Sequence, residues 1–378
     1  MLVGAGTELT DKLNNWQHDL AVLVGGIVRH HRNPFHLTPR TVLDAKVSEL
    51  SARLPALSDR DALVALRGIA ASIGDGHTYI TAPARPRLPL ELHWFGEDLT
   101  VTRSGAAYGE LIGSRVVAIG NQPVTLLQSR LRQLIPQGEN EWFVLARSVE
   151  LLTEPDVLAA LGLEPELRCI LSGGREIVTR LVPGDEPLVA AEPTPLSMQR
   201  TAEPLWFSRL EEQNAVYVQF QSYAGLQDTA APLFETLRER PAAKLIIDLR
   251  RNPGGNYTAG REWLIVPVQR LGLTSGQLYV LVGRSTFSAS MVNAIDFRRE
   301  TEAILVGEPI GARPYGYQEN GWFTLPSSGL NVSVATRLYR FGSAQEACFY
   351  PDQQIESTYV DFISGKDPVL EWALNSQV

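Results

Sequence analysis

The chain has 378 residues, 44% hydrophobic and 20% charged, with no low-complexity tract, which excludes a disordered chain and leaves room for two or three domains. Its 34 basic against 42 acidic side chains give a net charge of −8 and no basic footprint for nucleic acid or anionic lipid. Two cysteines, Cys169 and Cys348, cannot build a disulfide framework, and no Cys/His spacing suggests a metal, so no cofactor is expected.

In chain order, residues 1–82 predict a helical N-terminal domain. An amphipathic run opens near Trp16 and stops at Asn33-Pro34. A second helix opens at Thr38-Pro39, with Thr38 as cap and Pro39 in the first turn, and carries apolar residues at Val42, Leu43, Val47 and Leu50, close to helical spacing. A third opens at Ser58-Asp59 and ends near Gly74. Pro83, Pro86 and Pro89 then mark a linker, and short alternating runs at 90–94, 99–102 and 115–119 predict a β-rich module over 83–200. From 201 to 378 the pattern becomes α/β. The runs at 215–220, 244–249, 277–282 and 303–306 read as strands, with helical segments between them, and 244–249 is apolar enough to be buried on both faces. The apolar run 21–28 is far short of the ~20 residues that cross a bilayer. The first ten residues carry no secretory signal pattern, so a cytoplasmic location is expected.

Two loops stand out. In Asp248-Leu249-Arg250-Arg251-Asn252-Pro253-Gly254-Gly255, adjacent glycines after a buried strand let the backbone turn sharply and aim an amide at a bound atom, as an oxyanion hole requires. A plain strand-to-helix turn fits the same residues. In Gly283-Arg284-Ser285-Thr286-Phe287-Ser288-Ala289-Ser290, a serine at the mouth of a helix has its oxygen near the positive helix end. An ordinary serine cap fits that loop equally well.

Taken with Val306-Gly307-Glu308-Pro309, the order and spacing of these loops resemble peptidase family S41, the C-terminal processing and tricorn-type proteases. Ile73-Gly74-Asp75-Gly76-His77-Thr78 resembles the family's N-terminal motif, residues 111–123 its PDZ-like insert, and residues 361–371 its C-terminal ending. The resemblance implies a ClpP/crotonase-like α/β core with Ser288 as nucleophile. Ser285 and Ser290 stand as alternatives. It implies oxyanion donors at Ala289 and at Gly254 or Gly255. Processing proteases carry a lysine base in Gly-Glu-Pro-x-x-Gly-Lys, and here the aligned residue is Arg313. A guanidinium stays protonated and cannot act as a base, so Arg313 is expected to face the cleft and hold a substrate carboxylate or pair with Glu308.

The base role then falls to His77, by resemblance to tricorn-like members. Glu346 is the expected acid partner, with Glu308 and Asp75 as alternatives. His30, His31 and His36 are read as packing and not as metal ligands. Tyr315, Tyr317, Trp322 and Phe323 line a cleft or fill strands, and Cys348 is a buried thiol. The implied function is a serine hydrolase cleaving a peptide or small acyl substrate. A non-catalytic binding protein on the same fold and a specialised biosynthetic hydrolase are the alternatives.

Overall fold

The computed structural model describes residues 4–81, 86–163 and 167–377. The chain opens with α1 (Gly4–His30), α2 (Arg40–Arg53) and α3 (Asp59–Ala71). Ser58 caps α3 by accepting the Asp61 N–H, and Asp59 and Asp61 complement the positive helix end. Thr38 does not cap α2 as expected: Pro39 takes the cap position, and the Thr38 hydroxyl donates to Ser72 O at 2.5 Å.

A short β1 (Tyr79–Ile80) leads into the middle region. That region runs through β2 (Leu90–Phe95), β3 (Asp98–Gly105), β4 (Val116–Ile119), β5 (Gln122–Pro123), α4 (Val124–Leu131), α5 (Glu141–Leu151), α6 (Pro155–Ala160), β6 (Leu167–Leu171), β7 (Glu176–Thr179) and β8 (Leu188–Val189). Its strands form two small antiparallel sheets, β2-β3-β8 and β5-β4-β6-β7. β2 keeps the alternation read from its sequence: Leu90, Leu92 and Trp94 enter the core, while Glu91, His93 and Phe95 face away.

The remainder is a layered α/β body. It comprises β9 (Leu205–Leu210), β10 (Ala215–Phe220), α7 (Leu226–Glu239), β11 (Lys244–Asp248), α8 (Tyr257–Gly260), α9 (Val266–Arg270), β12 (Leu278–Val282), α10 (Ala289–Glu300), β13 (Ile304–Gly307), β14 (Tyr315–Thr324), β15 (Asn331–Arg340), β16 (Gln353–Gln354), α11 (Tyr359–Ile363) and α12 (Pro368–Asn375). Six strands pair in the order β16-β13-β12-β11-β10-β9, parallel throughout except at the β9 edge. All five residues of β12 are buried, because α7 and α10 cover one face of the sheet and α12 the other. The parallel pairing of β11 with β12 brings the loops after Asp248 and Val282 out at the same end of the sheet, where α/β folds place their ligands.

One departure from the sequence reading matters for the site. The β14–β15 hairpin comes from the C-terminal third, yet it packs on the N-terminal helices. β15 pairs with β1, Tyr79 opposite Ser333 and Ile80 opposite Val332. Leu325, Leu330, Val332 and Val334 complete the core formed by Leu20, Leu23, Leu63 and Leu66. Helices that bury one face each need an apolar partner, and this hairpin supplies it. The division near residue 82 therefore does not separate the helical layer from the rest in space. Among the described residues, no helix is long and apolar enough to cross a membrane.

Candidate active site

Ser288 sits between β12 and α10 with φ 54° and ψ −122°, a positive-φ backbone that a residue other than glycine rarely adopts. It occupies the cap position of α10, but its hydroxyl makes no cap bond and is free for another partner. The surroundings hold the strained turn in place. The Ser290 hydroxyl donates to Asn252 O at 2.6 Å and accepts the Phe287 N–H at 2.9 Å. Thr286 ties the same loop to Leu249 O at 2.9 Å. Gly254, at φ 108°, packs so closely that a Cβ there would lie 2.8 Å from the Ser288 Cβ. Of the three serines, Ser290 is therefore buried and committed to structure. Ser285 is exposed, and among the described residues Ser288 is the one of the three whose hydroxyl hydrogen-bonds a histidine.

That histidine is His77. Its Nε2 lies 2.8 Å from Ser288 Oγ, and the residue is only 3% exposed. The loop preceding β1 delivers it. Its backbone N–H donates to Asp75 Oδ1 at 3.1 Å, its carbonyl accepts the Ser333 hydroxyl at 2.8 Å, and its ring stacks on Phe287 with centroids 4.9 Å apart. Burial pushes its pKa down to about 4, against the opposing pull of the Asp75 charge, so the ring is neutral near pH 7. Its Nδ1 is buried and has no hydrogen-bond partner among the described residues.

None of the three expected acids stands at Nδ1. Glu346 is on an exposed turn, where its carboxylate accepts the Ser343 N–H at 3.2 Å, so the structure corrects its assignment as the partner of His77. Glu308 is locked to Arg284, Nε to Oε2 at 2.8 Å. Asp75 hydrogen-bonds the main chain of His77 and not its ring. It accepts from the His77 N–H, from Thr78 Oγ1 at 3.2 Å and from His31 Nε2 at 2.8 Å. The His31 Nδ1 accepts the Asn33 N–H at 2.9 Å, which puts the ring proton on Nε2 and makes His31 a donor to Asp75. Ligand atoms of His31, His36 and Asp75 lie within 4.8 Å of one another, but this tautomer fits the hydrogen bond and offers no lone pair at Nε2.

Arg313 also departs from expectation. Its guanidinium donates to the carbonyls of Gly138 at 3.2 Å, Ala344 at 3.2 Å and Glu346 at 3.3 Å, and it does not line the cleft or meet Glu308. A planar fork of donors can serve several carbonyls at once, and here it ties Gly138 to the 344–346 turn. The two glycines separate in role as well. The Gly254 N–H donates to Asn252 Oδ1 at 2.9 Å and is spent. Gly255 and Ala289 line the cleft, and the Ala289 N–H is the first amide of α10, at its positive end.

The cleft over Ser288 has a volume of about 700 Å³. Its lining combines apolar side chains, among them Leu134, Ile135, Phe143 and Phe287, with polar ones such as Asn256, Gln318 and Asn320. Of the four aromatics singled out in the sequence, Trp322 lines the cleft and is 55% exposed. Tyr317 packs on His36, and Phe323 joins the helical core. Cys348 is buried with its thiol pushed up to about 12 by burial, which makes it inert.

No family model and no curated protein matches the sequence. Solved structures do. Mature CPAF complexed with lactacystin is 12% identical, covering 96% of this chain and 99% of its own, at a TM-score of 0.67. Mature CPAF alone is 11% identical over 97% and 98%, at 0.65. The photosystem II D1 C-terminal processing protease is 16% identical over 90% and 93%, at 0.48. The chain has the fold of an S41-type peptidase. The likeness to CPAF runs nearly end to end on both chains, so the S41-type fold takes in the helical layer and the middle region as well as the α/β body.

Proposed function

We propose that this protein is a serine hydrolase of the S41 peptidase type, cleaving a peptide or related acyl bond through an acyl-enzyme on Ser288. The observation that carries the reading is the 2.8 Å contact between His77 Nε2 and the hydroxyl of a positive-φ serine at a helix mouth. The Ser288 O–H donates to neutral His77 and loses its proton to Nε2 as Oγ attacks the substrate carbonyl carbon. The oxyanion that forms accepts from the N–H groups of Ala289 and Gly255, at the positive end of α10. Collapse breaks the scissile bond, and Nε2–H returns the proton to the leaving group. Water, deprotonated by the same nitrogen, then releases the acyl group. His77 works here without an acid on Nδ1: Asp75 fixes its backbone and favours its charged form, and Phe287 fixes its ring. The same reading takes the layered body as ClpP/crotonase-like and residues 83–200 as PDZ-like.

Pre-steady-state kinetics with a p-nitrophenyl acyl ester test it. The wild-type protein should release about one equivalent of nitrophenol in a burst and gain the acyl mass. Absence of both, or their persistence in Ser288→Ala, would refute the reading.

A further inference from the structure

Residues Gly138, Glu139 and Asn140 of the middle region wedge between two loops of the site. The Glu139 Oε1 accepts the Gly76 N–H at 3.0 Å, one residue from His77, and its Oε2 accepts the Arg313 N–H at 3.0 Å. Its neighbours reinforce the junction. The Gly138 N–H donates to Gly74 O at 2.6 Å, the Gly138 carbonyl accepts from Arg313 Nη1, and the Asn140 side chain donates to Ile310 O at 2.9 Å. One carboxylate thus joins the loop that carries His77 to the loop that follows β13. Neither of its bonds involves another side chain.

We infer that Glu139 is a positioning residue for His77, and that its carboxylate acts as a proton-sensitive clamp, closed when ionised and loosened when protonated. The inference rests on the reading of His77 as general base. Two N–H groups, one on each oxygen, are the pattern of an ionised carboxylate. A protonated one turns an acceptor into a donor and must give up or weaken one bond. The groups that face Glu139 set where this happens. Asp75 approaches from the His77 loop and Arg313 from the opposite loop, while His31 and His36 stand behind Asp75. On its own segment, Glu141 is exposed and turned to Arg132. Burial comes first and, with the Asp75 charge, outweighs the two N–H bonds and Arg313, pushing Glu139 up to about 7. The clamp therefore titrates near neutrality, well above His77 at about 4.

The test is the rate of fluorophosphonate labelling from pH 5.5 to 8.5, with peptide-resolved hydrogen exchange alongside. Wild type should lose on the order of tenfold in labelling rate as pH falls through 7, the scale on which small misplacements of a catalytic group are felt. Glu139→Gln keeps one acceptor but sets an NH2 against the second N–H. It should label on the order of tenfold more slowly at pH 8 and show no step near 7. Glu139→Asp should bring back a step, and Glu141→Gln should behave as wild type. Glu139→Gln with the wild-type rate and step overturns the proposal. Should the variant fail to fold, exchange in wild type decides alone. Faster intrinsic-rate-corrected exchange of residues 74–81 at pH 6 than at pH 8 supports the clamp, and equal protection overturns it. A wild-type protein that never labels refutes the hydrolase reading, and the exchange data then still decide the clamp.

Discussion

His77 Nε2 and Ser288 Oγ lie 2.8 Å apart although 211 residues separate them in the chain. The loop before β1 brings one and the turn before α10 brings the other. The pairing of β1 with β15 fixes the first loop to the β14–β15 hairpin. If this contact is a base–nucleophile pair, replacing His77 by Gln should lower acylation by about 10²–10⁴-fold and leave the fold intact. In wild type, below the step owed to Glu139 near 7, the remaining acylation rate should hold down to mildly acidic pH, and the limb owed to His77 should fall only as pH drops through about 4. Stopped-flow acylation rates against pH check both statements.

Arg313 gives the second prediction. Its three carbonyl contacts make it a brace between residues 138 and 344–346. Arg313→Ala should lower the thermal midpoint, because the part-buried Gly138 carbonyl loses a donor, at about 1–3 kcal/mol for a group left unsatisfied, and the brace to the exposed 344–346 turn is released. Any loss of activity should be the same for a peptide with a free C-terminal carboxylate and for its amide. A selective loss on the free acid would return Arg313 to the cleft.

Gly254 gives the third. Its positive φ and the close approach of Ser288 leave no room for a methyl group. Gly254→Ala should cost about 1–3 kcal/mol in folding and displace Ser288 enough to abolish labelling. Denaturant titration together with labelling checks this.

The fourth concerns stability against pH. Glu139 is raised from its ordinary 4.5 to about 7, so between these values the folded state holds a proton that the unfolded chain has lost. Its contribution is fully present below 4.5 and is lost as pH rises through 7. His77 is lowered from 6.5 to about 4, so its contribution is present above 6.5 and lost as pH falls through 4. The two slopes oppose each other between 4.5 and 6.5. Glu139→Gln should therefore gain stability relative to wild type as pH rises across that window, by up to ~1.4 kcal/mol per pH unit. Urea midpoints at several pH values measure it, and a pH-independent difference would contradict it.

What the sequence made legible was local. The runs of β10, β11 and β12 announce strands, that of β11 apolar enough for burial on both faces, and the Gly254-Gly255 and Ser288-Ala289 loops announce a sharp turn and a helix mouth. His77 was reachable because it lies within a short motif. The errors concern groups whose direction is set by distant backbone. Arg313 turned to carbonyls of residues 138 and 344, which no spacing rule connects to it. Glu346 bonds within its own turn. Glu139 escaped notice because its partners are two backbone N–H groups, and every residue but proline carries one. Its neighbour Asn140 caps α5 by accepting the Phe143 N–H.

The most direct measurement is peptide mapping of the protein after reaction with a fluorophosphonate. The account predicts one adduct, on Ser288, absent in Ser288→Ala and formed at least about 10²-fold more slowly in His77→Gln. An adduct on Ser285 or Ser290, no adduct at all, or an unchanged rate in His77→Gln would contradict it.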